Sequence, residues 1–72
     1  MWFIAKMCQD KVYYLQKIED DFYFTATWVE NMDKAMVFYS NTGVYQYMKA
    51  NIPSHSEVFV VYEEDEEEGF II

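Results

Sequence analysis

The sequence predicts a small α+β domain: an antiparallel sheet of three to five strands, starting with a β-meander, with one helix packed across it and then a final strand. Three observations predict this fold. Up to Val29, short apolar segments alternate with polar breaks, which is typical of strands joined by tight turns. The segment 41–51 has apolar residues at helical spacing and stops before Pro53. Another apolar segment, 57–62, follows it, and this order of elements is typical of an α+β domain.

The first two predicted strands form a hairpin. Residues 2–8 are dense in aromatic and aliphatic side chains. Residues 11–18 alternate between two faces, and two lysines mark one of these faces as partly exposed to solvent. Between the strands, Gln9-Asp10 has the length of a two-residue hairpin turn, without the Asn-Gly or Asp-Gly sequence that the tightest turns favour.

The third predicted strand, 22–29, has the clearest alternation in the chain. Two phenylalanines, an alanine and a tryptophan share one face, while a tyrosine, two threonines and a valine share the other. The acidic triplet Glu19-Asp20-Asp21 forms the turn that precedes it. Three sequential strands joined by short turns predict an antiparallel meander.

A helix is predicted over 41–51. The three residues 40–42 are all good N-caps, and Pro53 prevents the helix from continuing. The apolar stripe is expected to comprise Val44, Met48 and Ile52, flanked by Tyr45 and Ala50.

Two shorter segments flank this helix. Residues 34–39 are too few for their periodicity to distinguish a strand from a helical turn. Residues 57–62 carry apolar side chains on both faces, which predicts a central rather than an edge strand.

Composition predicts one compact domain followed by a tail. The chain has 72 residues, of which 53% are hydrophobic and 21% aromatic, and a chain of this size buries too little surface to divide its core. We therefore expect a single α+β domain over 1–62. Residues 63–72 form an acidic tail that ends in an apolar tip, Phe70-Ile71-Ile72.

The single cysteine, Cys8, excludes an intramolecular disulfide and favours a reducing cytoplasm. Because Cys8 lies in an apolar stretch, we expect it to pack inertly in the core. No segment approaches the ~18 apolar residues that a membrane span requires.

The residues do not suggest an enzyme. His55 is the only imidazole and stands between two serines, whereas a Ser-His pair also needs an orienting acid and an oxyanion hole. One His and one Cys cannot supply the usual three or four zinc ligands, and no calcium-loop pattern or glycine-rich phosphate loop is present. We expect no catalytic residue, no metal and no cofactor.

Charge is the strongest functional signal. The formal net charge is −8, with thirteen acidic residues against five basic ones. Such a charge repels nucleic acid and anionic membranes, which are bound mainly through Lys and Arg, and it attracts basic proteins. Six consecutive acids occupy 63–68. In an extended backbone they recur about every 3.3 Å, close to the roughly 3.4 Å axial spacing of phosphates along one DNA strand.

The acidic composition, the few predicted strands and the single helix resemble small inhibitors made by bacteriophages, including anti-CRISPR proteins and other nucleic-acid mimics. The stretch Asp33-Lys34-Ala35-Met36-Val37-Phe38-Tyr39-Ser40, just before a capped helix, is similar to a pattern common in small phage proteins. Separately, residues 63–72 resemble the acidic, Phe-containing C-terminal tip of bacterial single-stranded-DNA-binding proteins, which docks basic repair and replication enzymes. In this chain two isoleucines follow the phenylalanine.

These observations predict an inhibitor that occupies the basic nucleic-acid groove of a host protein, such as a CRISPR effector or a DNA-processing enzyme. The expected partner is a basic protein, with no direct binding to nucleic acid or membrane. The alternative is a homo-oligomeric interaction module, for example a homodimer, without mimicry. The residues expected to bind the partner are Glu19, Asp20, Asp21, Tyr62, Glu63, Glu64, Asp65, Glu66 and Phe70.

Overall fold

The computed structural model describes residues 1–19, 25–54 and 56–64. It shows a four-stranded antiparallel sheet with one helix on one face, which confirms the predicted α+β fold. In chain order the elements are β1 (Trp2–Cys8), β2 (Lys11–Lys17), β3 (Thr27–Val29), α1 (Asn41–Asn51) and β4 (Phe59–Tyr62). The strands lie in the order β3-β2-β1-β4, so the first three form the predicted meander and β4 joins it beside β1.

The hairpin between β1 and β2 forms at the predicted turn. Cys8 pairs with Lys11 across it, and the two turn residues adopt positive φ angles, 52° at Gln9 and 68° at Asp10. Positive φ at both central residues is the type I′ geometry that suits the twist of a hairpin. A Cβ disfavours this region by roughly 1–2 kcal/mol per residue, although aspartate tolerates it better than most residues. The strand pairing therefore holds Gln9 in particular in a conformation that it does not prefer.

The third strand is shorter than predicted. It spans Thr27–Val29, and Thr25 lies instead in a 3-10 turn. The hydroxyl of Thr25 donates a hydrogen bond to the carbonyl oxygen of Glu19 (2.8 Å), and such local bonds compete with strand pairing. The prediction was therefore wrong for residues 25 and 26, while residues 22–24 lie outside the described part of the chain.

Residues 34–39 form neither a regular strand nor a continuing helical turn. A 3-10 turn over Met32–Lys34 comes first, and the chain is then extended. The Met36 amide donates to the Leu15 carbonyl (2.9 Å), and Trp2 and Phe38 exchange two backbone bonds (2.8 and 2.9 Å). Residues 36–38 thus fill the space where the start of β1 and the end of β2 diverge.

The helix has the predicted bounds, and Ser40 is its N-cap, with its side-chain oxygen accepting from the Gly43 amide (2.9 Å). The predicted stripe is confirmed, because Val44 and Ile52 are buried and Met48 packs against them. Its expected flank was wrong. Tyr47 packs against the core, with its ring centroid 5.2 Å from that of Phe38, whereas Tyr45 is exposed.

The main core lies between α1 and one face of the sheet, called here the helix face. Ile4 and Leu15 from the sheet meet Val44 and Ile52 from the helix, and all four are buried. Burial of such side chains contributes roughly 1.5–3 kcal/mol each. On the opposite face, Phe3 and Ala5 are also buried.

Two further expectations were wrong. β4 begins at Phe59 rather than at residue 57, and it is an edge strand of the described sheet. Side chains point above and below the sheet, whereas the hydrogen-bonding groups of a strand point sideways to its neighbours. Apolar residues on both faces therefore do not show whether a strand lies on each side. Cys8 is exposed, because it lies beside the hairpin turn rather than within the core.

Candidate functional site: the acidic end of the sheet

Acidic residues from two separate parts of the chain lie at the same end of the sheet. β2 and β4 both run antiparallel to β1, so both end where β1 begins. Glu19 follows β2 by two residues, and Glu63 follows β4 directly. We call this end, comprising Glu19, Glu63 and Glu64, the acidic end.

The backbone of Glu63 is held in place by pairing with the start of the chain. The amino nitrogen of Met1 donates to the Glu63 carbonyl oxygen, and the Glu63 amide donates to the Met1 carbonyl oxygen, both at 2.8 Å. These two bonds extend the β1–β4 ladder by one pair beyond Trp2 and Tyr62. The first acid of the tail therefore has a backbone position set by the sheet, while its side chain is exposed.

Glu19 is held differently, through an ion pair on the surface. Its Oε1 lies 2.8 Å from Lys17 Nζ, and both side chains are more than half exposed. The hydrogen bond from Lys17, and then its charge, lower the pKa of Glu19, and the same two interactions raise the pKa of Lys17. At this exposure the pair contributes little to stability, and it offsets one of the negative charges at this end.

Glu63 and Glu64 have no ion-pair partner among the described residues, although the positively charged amino group of Met1 lies against the Glu63 backbone. Within the described residues the ion pairs are Lys17–Glu19 and Lys11–Glu30, and the second lies at the hairpin end of the sheet. Lys6 lies over the Trp28 ring, 4.5 Å from its centroid. Both glutamates are exposed, so their charge faces solvent and is open to an external cation.

An aromatic side chain adjoins these charges. Tyr62, the last residue of β4, is 54% exposed and its ring centroid lies 4.7 Å from that of Trp2, at an interplanar angle of 55°. Contact with Trp2 fixes one side of the ring and leaves the rest open. An exposed ring beside a charged edge suits a protein-binding surface, where tyrosine is a frequent anchor.

The structure therefore brings together four of the predicted partner-binding residues: Glu19, Tyr62, Glu63 and Glu64. Asp20, Asp21, Asp65, Glu66 and Phe70 lie outside the described residues, as does His55. The sequence reasoning missed the outer edge of β4, which has no strand partner among the described residues and also carries exposed Phe59. No signal in the spacing of apolar residues indicates that edge, since it depends on which strand β4 pairs with.

Other chemistry is sparse in the described part of the chain. There, no group of three or more His, Cys, Asp or Glu side chains is arranged to hold a metal ion, and no helix is both long and apolar enough to cross a membrane. A shallow depression of about 200 Å³ lies on the helix face, lined by Lys6, Cys8, Tyr13 and Trp28. It lies towards the hairpin end, away from the acidic end.

Comparison with protein-family models, with curated proteins and with solved structures found no significant match to this chain. We therefore infer a function from the geometry and charge of the acidic end.

Proposed function

We propose that this chain is a non-enzymatic inhibitor that binds the basic nucleic-acid groove of a host protein in the cytoplasm, with acidic side chains taking the place of phosphates. One observation carries the proposal: two acidic runs, three residues at 19–21 and six at 63–68, both start at the same end of the sheet. The described members of the second run have no ion-pair partner among the described residues. The resemblance to small phage inhibitors supports the same function.

The two parts of the acidic end contribute differently to binding. Charges at the rim of an interface mainly accelerate encounter and set its salt dependence. A side chain that becomes fully desolvated contributes more of the affinity. Glu63, with its backbone held by Met1, and the ring of Tyr62 beside it are suited to the second role. The other acids increase the attraction of a basic groove.

The test starts from a target captured from host lysate and identified by mass spectrometry. Its binding to DNA is then measured with increasing amounts of the chain. We expect the wild-type chain to displace DNA, and the variant E63Q/E64Q to displace it at least tenfold less effectively. The control variant D10N/E30Q removes the same amount of charge at the hairpin end, where Asp10 lies in the turn and Glu30 lies beside Lys11. Equal losses in both variants would show that net charge, rather than this end, is responsible.

A second candidate function is a homo-oligomeric module without mimicry. The observation that favours it is the outer edge of β4, which has no strand partner among the described residues and carries the exposed rings of Phe59 and Tyr62. Exposed strand edges template pairing with another chain. Light scattering through the micromolar range separates the two functions, because the inhibitor is expected to be a monomer and the module a dimer or larger.

A further inference from the structure

The outer edge of β4 presents specific backbone groups to a partner. Met1 and Glu63 exchange both of their hydrogen bonds, so they form a hydrogen-bonded pair. Such pairs alternate along an antiparallel ladder. Trp2–Tyr62 and Ile4–Val60 are therefore the non-bonded pairs, and the N–H and C=O groups of Tyr62 and Val60 point away from β1.

The pairing of Trp2 independently supports this alternation. The N–H and C=O groups of Trp2 both bond to Phe38, on the other side of β1. These groups are therefore not available to bond to Tyr62. Among the described residues no backbone or side-chain group takes the outward groups of Val60 and Tyr62. A partner strand would form its hydrogen bonds at these two residues.

The side chains of β4 do not prevent such pairing. Natural edge strands are commonly protected by a proline, a lysine or an inward-pointing charge. Phe59–Tyr62 contains none of these. Its two valines and two aromatic residues have high strand propensity, and Phe59 and Tyr62 are 41% and 54% exposed.

Charges flank this apolar centre on both sides. Glu57 precedes β4, Glu63 and Glu64 follow it, and all three side chains are exposed. Glu57 and Glu63 lie about 20 Å apart along an extended backbone. Neither has an ion-pair partner among the described residues.

We propose that β4 binds an extended segment of the partner protein as an additional strand, and that this segment has an apolar centre with Lys or Arg about six positions apart at its two ends. This inference rests on the proposed function and names how the basic partner is recognised. Backbone bonds at Val60 and Tyr62 supply the pairing, and the flanking glutamates select basic over acidic segments by charge complementarity.

The same charges disfavour a second copy of this chain. In an antiparallel pairing of two β4 strands centred on Val60, whose backbone groups point outward, Glu57 lies opposite Glu63 of the other copy. Like charges directly opposite each other destabilise a strand pair. The flanking acids thus favour a basic segment over self-association.

The inference is tested with a synthetic peptide, acetyl-Lys-Thr-Val-Thr-Val-Thr-Lys-amide, whose lysines are six positions apart. It is titrated into the whole chain and followed by backbone-amide NMR. The largest shifts are expected at Val60 and Tyr62, with saturation below millimolar peptide. A matched peptide with glutamates at both ends should bind at least tenfold more weakly. Absence of shifts in β4 at millimolar basic peptide would overturn the inference.

A proline variant isolates the backbone contribution. Tyr62→Pro removes an N–H that points outward, and proline is tolerated at such edge positions. Tyr62→Val is its control, because it also lacks the ring but keeps the N–H. The proline variant should bind the peptide at least tenfold more weakly than the valine variant, while both retain the wild-type circular dichroism spectrum. Equal affinity of the two variants would show that β4 does not form the extra strand.

The same variants separate this inference from the proposed function. A captured target whose binding weakens in E63Q/E64Q but not in Y62P relative to Y62V supports nucleic-acid mimicry and overturns strand addition. Loss in Y62P relative to Y62V, from a wild-type chain that does not displace DNA from the target, supports strand addition and overturns mimicry. Shifts in β4 that depend on the concentration of the chain alone, without peptide, would identify a second copy as the occupant and contradict the inference.

Discussion

The two ends of the sheet differ in how their charges are compensated. At the hairpin end, Lys11 Nζ lies 3.8 Å from Glu30 Oε1. At the acidic end, Lys17 compensates Glu19, while Glu63 and Glu64 face solvent without an ion-pair partner in the described part of the chain. The net charge of −8 is therefore most available for binding at one end, and position matters more than total charge.

The largest expected effect comes from neutralising the acidic end. The variant E63Q/E64Q/D65N/E66Q should bind a captured basic target at least tenfold more weakly than wild type at low salt. The difference should shrink as salt rises, because exposed charges are screened over about 10 Å at 0.1 M salt. Isothermal titration at several salt concentrations measures it.

The hairpin end provides the matching control. The variant D10N/E30Q should change affinity for the same target less than twofold at any salt concentration. A loss comparable to that of E63Q/E64Q would contradict the difference between the two ends.

The next largest effect concerns the strained turn at the hairpin end. Asp10→Gly should raise the free energy of unfolding by about 0.5–1 kcal/mol, because glycine adopts positive φ without steric cost. Urea unfolding measures this gain, and affinity for the target should be unchanged. An unchanged or lower stability would show that the Asp10 side chain contributes more than its conformation costs.

A smaller effect is expected at the start of α1, which lies near the acidic end because Phe38 pairs with Trp2. Alanine normally stabilises a helix over glycine by up to about 1 kcal/mol. At Gly43, however, an added Cβ would lie 2.8 Å from the Ser40 hydroxyl oxygen, and displacing this cap costs about 1 kcal/mol. Gly43→Ala should therefore leave stability nearly unchanged.

Without the Ser40 cap, the higher helix propensity of alanine over glycine at position 43 should become measurable. In a Ser40→Gly background the same Gly43→Ala change should stabilise the protein by about 0.5–1 kcal/mol, as measured by urea unfolding. An equal gain in both backgrounds would contradict the close contact between Ser40 and Gly43.

The smallest effect is the pH dependence of the Lys17–Glu19 pair. The lowered pKa of Glu19 means that its contribution is present above the ordinary glutamate range and is lost as pH falls through the lowered pKa. The raised pKa of Lys17 means that its contribution is lost as pH rises through that value. The small stability difference between wild type and E19Q should therefore be constant near neutral pH and vanish in strong acid and strong base. A difference that persists in strong acid would contradict the pairing.

The sequence predicted the elements better than their arrangement. The hairpin at Gln9-Asp10 and the helix over 41–51 depend on local signals, a polar pair and a cap followed by Pro53, and both are confirmed. The position of β4 beside β1 depends on pairing between distant residues, which alternation does not encode. The same limit explains Cys8, whose apolar neighbours predicted burial although it lies beyond the reach of the helix.

The candidate site also combines features that local sequence predicts with features that depend on pairing between distant residues. The acidic runs and Tyr62 were visible in the sequence as a pattern of charge and aromatic residues. Their meeting at one end requires the antiparallel pairing of β1 with both β2 and β4. The outward direction of the Val60 and Tyr62 backbone groups, which have no partner in the described part of the chain, follows from the phase of that pairing, and the Met1–Glu63 bonds define this phase.

The central claim is that the acidic end binds a basic groove by charge. It is tested most directly by the affinity of the wild-type chain for its captured target between 50 mM and 500 mM salt. We predict an affinity that falls steeply as salt rises, with a clearly smaller slope for E63Q/E64Q. An affinity that does not change with salt, or equal slopes for wild type and this variant, would contradict it.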